Sequence, residues 1–158
     1  MPHLTNVTYD EIAIGQTASY TRTIEERDIV LFAAVSGDVN PVHLDADYAA
    51  LTPFKGQIAH GMLTGALISA ALAMKLPGPG TVYVSQSLRF RKEVRIGDTV
   101  TVKLEVVAKK DRARLVTLDC KARNQDDKLV ATGSADVIAP AETMLIEQPA
   151  VPQVVVPG

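Results

Sequence analysis

One stretch constrains the fold more than any other: Met62 to Leu76 is apolar at every position except Thr64, Gly65, Ser69 and Lys75. Its alanines, leucines and methionines favour helix, and a helix apolar on nearly every side has to be covered by other elements. It is shorter than the ~20 residues needed to cross a bilayer core. The expectation is a core helix wrapped on all sides, stopped by Pro77-Gly78-Pro79-Gly80.

What wraps it is legible downstream. Thr81 to Phe90, Thr99 to Val107, Arg114 to Ala122 and Leu129 to Val137 are alternating or β-branched segments. Gly97-Asp98, Lys109 to Arg112 and Asn124 to Lys128 supply turns, and such short gaps favour antiparallel meanders over crossovers. Upstream, Thr17 to Thr23 suits another strand, and Thr23-x-x-Glu26 resembles a capping box launching a helix over Glu25 to Val35. Asp45 to Leu51 reads as a shorter helix before the break at Thr52 to Gly56. The fold class is α+β, one sheet curling around a core helix. A single domain is expected over 1–140, with 141–158 an extended or disordered tail because of its spaced prolines.

Chemistry points to the run Ser36-Gly37-Asp38-Val39-Asn40-Pro41-Val42-His43. A carboxylate and an imidazole five residues apart diverge on a helix and fall on opposite faces of a strand. Gly37, Asn40 and Pro41 instead predict a shaped loop that can aim both groups at one water. The plain alternative is a surface turn capped by Asp38, with His43 half-buried nearby. The placement after one apolar helix and before His60-Gly61-Met62 favours chemistry.

Gly61 opens the central helix, where free amides and the positive end of the helix dipole form a site for developing negative charge. From the residues alone, that role and simple tight entry into a buried helix are both open. His60 competes with His43 as the active imidazole, although at a helix entry it more often satisfies local backbone groups. Ser69 stands either beside the site or as a core hydroxyl bonded one turn back.

With 158 residues and a net charge of −2, the chain is large enough for one real core. Its scattered basic residues and absence of tryptophan argue against nucleic-acid and anionic-membrane partners. Arg89, Arg91, Lys92 and Arg95 are the one basic cluster, suited to the phosphates of a large acidic ligand or to a solvated strand. The lone Cys120 excludes an internal disulfide and a cysteine metal cage, and sits in a strand pattern. Met1 to Asp10 lacks a signal-peptide pattern, so a cytoplasmic location is expected.

On these residues the chain resembles the MaoC-like branch of the hot-dog superfamily, and within it the R-specific enoyl-CoA hydratases linked to polyhydroxyalkanoate synthesis. The resemblance spans roughly Tyr9 to Pro140. It rests on Phe32-Ala-Ala-Val-Ser-Gly-Asp-Val-Asn-Pro-Val-His43 followed by Ala49, and on Ile58-Ala59-His60-Gly61-Met62. It implies a hot-dog fold, a curled antiparallel sheet around a long central helix, and a homodimer. It also implies reversible syn hydration of trans-2-enoyl-CoA to (R)-3-hydroxyacyl-CoA. Asp38 and His43 would activate the water and Gly61 would bind the thioester oxygen, with Asn40 and Ser69 as support. No metal or prosthetic group is implied, coenzyme A being part of the acyl-CoA substrate. Leu67, Ala71, Leu72 and Met74 are the candidates for setting acyl length.

Three other activities suit the same fold: a thioesterase, a 3-hydroxyacyl-thioester dehydratase, and a non-catalytic acyl-CoA sensor. Release of free thiol would mark the first. Binding without turnover would mark the sensor, which needs neither Asp38 nor His43.

Overall fold

The computed structural model describes residues 2–158. Alternation dictates the sheet. In β4 (Thr99–Lys110), Val100, Val102, Leu104 and Val106 are buried while the residues between them are at least partly exposed. β5 (Leu115–Arg123) repeats this with Val116, Leu118, Cys120 and Ala122, and β6 (Leu129–Ile138) adds Ala131, Ala135 and Val137. With β2 (Thr17–Thr23) and β3 (Val82–Phe90) they form a five-stranded antiparallel sheet, ordered β2-β4-β5-β6-β3.

The inner face of the sheet packs on the central helix, α4 (Gly61–Met74), through Leu67, Ile68, Ala71 and Leu72. Each fully buried leucine or isoleucine side chain contributes roughly 1.5–3 kcal/mol. The helix ends where Lys75 N–H meets the Ala71 carbonyl and Gly78 N–H reaches back to that of Leu72, ahead of further chain that Pro77 keeps non-helical.

The sheet covers one side of α4 and leaves another open, so the expected all-round wrapping is corrected. Met62, Ala66 and Ala73 are exposed and Ser69 is half-buried. These positions form one stripe at helical spacing. The simple meander is corrected too. Only β4-β5-β6 follow one another, because β3 pairs with β6 rather than β4, for example Arg89 with Thr132. The segment between β3 and β4 is pinned beside the start of α4 by the Ala59 N–H to Val94 carbonyl bond and by the Ile58–Arg95 bridge. β3 is thereby left as an edge.

Helix α1 (Glu26–Ser36) begins two residues later than the Thr23 cap requires. Thr23 stays in β2, its hydroxyl bonded to that of Thr99, and the Asp28 carboxylate instead receives the Glu25 N–H at 2.9 Å. Asp28 is held from the other side by Arg22 at 2.7 Å. Two short helices follow, α2 (Pro41–Leu44) and α3 (Ala46–Ala50). Within 141–158, β7 (Leu145–Glu147) pairs antiparallel with β1 (His3–Thr5), so that stretch is fastened to the N-terminal segment.

Candidate active site

The loop predicted over residues 36–43 is irregular only in its first half. Gly37 ends α1 at φ +79°, a left-handed conformation that glycine adopts without strain. Asp38, Val39 and Asn40 belong to no helix or strand, and His43 sits on the single turn of α2. Asn40 starts that turn: its side-chain oxygen accepts the Val42 N–H at 3.1 Å, with Pro41 at the first helical position where no N–H is needed. The turn brings His43 back toward Asp38, which the simple five-residue spacing on a long helix would not.

Hydrogen bonding assigns a role to each atom of the pair. The Asp38 Oδ1 accepts the Asn40 N–H at 3.2 Å, leaving Oδ2 to face the imidazoles. His43 Nδ1 lies 2.7 Å from the Ile58 carbonyl oxygen. A carbonyl only accepts, so Nδ1 carries hydrogen and, in the neutral ring, Nε2 is a bare acceptor. That Nε2 is 3.8 Å from Asp38 Oδ2. One water donating hydrogen bonds of about 2.8 Å spans acceptors up to roughly 4.4 Å apart, so this gap suits the two hydrogens of a single molecule. Asp38 is half-exposed, open to such a water, while His43 is buried.

His60 belongs to the same cluster. Its Nε2 lies 3.0 Å from the Asp38 backbone carbonyl and 4.0 Å from Oδ2, and its ring stacks on His43 with centroids 3.8 Å apart. Phe32 packs on it from α1 at 4.8 Å. The expectation that a helix-entry histidine satisfies a local backbone group does not hold, since its acceptor is 22 residues away. Neither Phe32 nor the Ile58 carbonyl was identified from sequence. An apolar ring and a main-chain oxygen carry no local signal of such roles.

The three side chains offer potential metal-ligating atoms within 4.8 Å of one another. The chemistry of the donor set is a poorer fit. His60 Nε2 holds its hydrogen on a carbonyl and its Nδ1 is buried without a partner, which leaves one carboxylate and one imidazole nitrogen. Zinc sites use three or four protein ligands.

Gly61 is the first residue of α4, so its N–H has no acceptor within the helix. It lines a cavity of about 430 Å³ with His60, Thr64, Phe90 and Lys92. A second cavity of about 510 Å³ runs between α4 and β3, lined by Phe32, Met62, Ala66, Ser69, Tyr83 and Leu88 among others. Ser69 is half-buried and lines this groove. The helix residues on the groove are Met62, Gly65, Ala66 and Ser69. Of the residues named above for acyl length, Ala71 and Leu72 are buried in the core, Leu67 joins the core and lines a separate cavity beside Leu31 and Val35, and Met74 lines one beside Tyr20 and Lys75.

A curled antiparallel sheet on one central helix is the hot-dog architecture, and here a carboxylate and an imidazole converge near the start of that helix. The MaoC like domain matches residues 10–125, and the chain belongs to that family. It is 47% identical over 135 residues to an (R)-specific enoyl-CoA hydratase of Rhodospirillum rubrum, covering 84% of this chain and 92% of that protein. An R-hydratase from Pseudomonas aeruginosa, solved unliganded, superposes with a TM-score of 0.95 at 50% identity, covering 99% of this chain and all of that one. An (R)-hydratase from Aeromonas caviae involved in PHA biosynthesis superposes with a TM-score of 0.79 at 40% identity, over 82% of this chain and 98% of that one. Among the described residues, no helix is long and apolar enough to cross a membrane.

Proposed function

We propose that this chain is an R-specific enoyl-CoA hydratase, a hydro-lyase that reversibly adds water across the double bond of a trans-2-enoyl-CoA. The supporting observation is the Nδ1 bond from His43 to Ile58, which leaves Nε2 facing Asp38 as an acceptor. Water held between Nε2 and Oδ2 loses a proton as its oxygen bonds to C3. Electrons shift through C2 to the thioester oxygen, forming an enolate, and a proton returned to C2 on the same face completes syn addition and (R)-3-hydroxyacyl-CoA. Base assistance of this kind typically contributes 10²- to 10⁴-fold. The Gly61 amide at the helix start stabilises the enolate, where one such donor is typically worth about 2.7–4 kcal/mol.

No cofactor enters this scheme, coenzyme A arriving as part of the substrate. The α4–β3 groove receives the acyl chain, and a second copy of the chain pairs along the β3 edge. The similarity to the A. caviae protein supports supply of hydroxyacyl monomers to polyhydroxyalkanoate synthesis.

Loss of enoyl-thioester absorbance with crotonyl-CoA, followed by chiral analysis of the product, tests the reading. Formation of the R-alcohol without free thiol is expected. Thiol release would assign a thioesterase, and binding without turnover a sensor.

A further inference from the structure

Hydration as proposed gives work to Asp38, His43 and Gly61 and none to His60, the most buried side chain of the cluster at 3% exposure. Its surroundings are specific. The Asp38 carbonyl can only accept, so Nε2 carries the hydrogen in the 3.0 Å contact. Nδ1 is then an acceptor, and it is buried with no partner. Such an atom is tolerated where the rest of the ring is needed.

The need is visible in the loop. Among the described residues, every other hydrogen bond made by Asp38, Val39 and Asn40 stays within three residues: Asp38 N–H to Ser36 Oγ, Val39 N–H to the Gly37 carbonyl, Asn40 N–H to Asp38 Oδ1, Val42 N–H to Asn40 Oδ1, and His43 N–H to the Asn40 carbonyl. Bonds this local shape the loop but do not fasten it to the body of the protein. The one bond from His60 does.

The same ring backs the imidazole of His43 at 3.8 Å with the planes 24° apart. Phe32 closes on His60 from α1. The His43 ring is thus fixed at one edge by Ile58 and over one face by His60. The next residue along the chain is Gly61, so loop, base and helix-start amide share one support.

We propose that His60 is a positioning residue for the hydration step: it ties Asp38 to the helix entrance through the loop backbone and sets the plane of His43. The turnover consequence rests on the hydratase reading, whereas the tie itself does not. Histidine suits both duties because it has a flat ring to stack and an N–H at its far end. Phenylalanine keeps the first and glutamine the second.

The full chain carrying His60→Phe or His60→Gln separates them, with folding checked by circular dichroism and urea denaturation. Crotonyl-CoA turnover by His60→Phe should fall on the order of 10²-fold in kcat with KM within about twofold, the effect of misplacing a catalytic group by about 1 Å. His60→Gln should recover to within about tenfold of wild type. Independently of activity, amide hydrogen exchange at residues 38–42 should quicken in His60→Phe and stay near wild type in His60→Gln, at equal global stability. Wild-type kcat in His60→Phe, a change confined to KM, or equal exchange in the two variants would overturn the proposal. A wild type inert to enoyl thioesters would remove the hydratase reading, and the exchange comparison would still decide the tie.

Discussion

His43 turns its second ring nitrogen to Asp38: Nε2 lies 3.8 Å from Oδ2 while Nδ1 donates to the Ile58 carbonyl at 2.7 Å. Replacing either group by an amide keeps a hydrogen-bond acceptor but removes a base that can take up the water's proton. Asp38→Asn and His43→Gln should each lower kcat on crotonyl-CoA by about 10²- to 10⁴-fold. Asp38 is half-exposed, so Asp38→Asn should keep the wild-type urea midpoint, whereas His43→Gln gives up a buried hydrogen bond worth ~1 kcal/mol. Stopped-flow turnover beside urea titration separates the two effects. Wild-type kcat in either variant would remove that residue from the mechanism.

How much of this was readable in advance depended on distance along the chain. Asp38, Asn40 and His43 share one short segment with glycine and proline, so their convergence is written in local turn chemistry. Gly61 is marked by its place ahead of an apolar run. The contact of His60 with Asp38 spans 22 residues and depends on how α4 docks, which no local pattern encodes. The choice between Leu67, Ala71, Leu72 and Met62, Ala66, Ser69 as groove residues was illegible for a different reason. A helix apolar on every side has no polar face to show which side the sheet covers. The β3–β6 pairing was likewise hidden, since strand segments give alternation and not neighbours.

Gly61→Ala tests the helix mouth. The added methyl carbon would lie 3.1 Å from the Phe90 ring, a half-exposed side chain able to shift. The protein should therefore fold, yet the methyl group enters the cavity at the amide proposed to bind the thioester oxygen. A fall in kcat/KM of at least about tenfold is expected, less than the ~10²–10³ for full removal of an oxyanion donor. Unchanged kinetics in the folded variant would assign Gly61 to tight helix entry alone.

Gly133 is a structural counterpart with the opposite signature. It faces β3 within the sheet, and a methyl carbon there would stand 1.9 Å from the Ser87 carbonyl oxygen. Backbone cannot yield as a side-chain tip does. Gly133→Ala should cost ~3 kcal/mol or more of unfolding free energy, at the upper end of overpacking, and should separate β3 from β6. Urea denaturation decides this, and a wild-type midpoint would mean that the β3 backbone at Ser87 shifts locally to admit the methyl group.

Cys120 sits on the inner face of β5, where burial pushes its thiol up to about 11. Burial likewise pushes the nearby Tyr83 phenol up to about 12. Both groups hold their protons more tightly folded than unfolded, where about 9 and 10 apply. Their contribution to stability is thus complete below pH 9 and is lost as pH rises through 11 and 12. A thiol reagent at pH 8 should leave the native protein untouched and label it in denaturing urea. Cys120→Ala should soften the fall in urea midpoint that begins near pH 9. Rapid labelling of the native protein would show that the site is accessible.

Strand β3 forms one edge of the sheet, and that edge is apolar at its two ends around a polar middle of Ser85, Gln86 and Ser87: Val82, Tyr83, Val84 and Phe90 are 54%, 40%, 53% and 52% exposed. An edge of nine residues with unpaired main-chain groups invites further strand pairing, and natural sequences usually blunt such edges with charge or proline. Here it borders the uncovered stripe of α4, so one partner would cover both strand and groove. A second copy of the chain, pairing edge to edge, is the occupant that the proposed homodimer requires. Light scattering should then give about twice 16.9 kDa. Val82→Lys combined with Val84→Lys places two charges on the edge and should yield the single-chain mass. Activity should fall with it, because the α4–β3 groove loses its outer wall. A fully active wild type at 16.9 kDa would exclude this edge as a required interface.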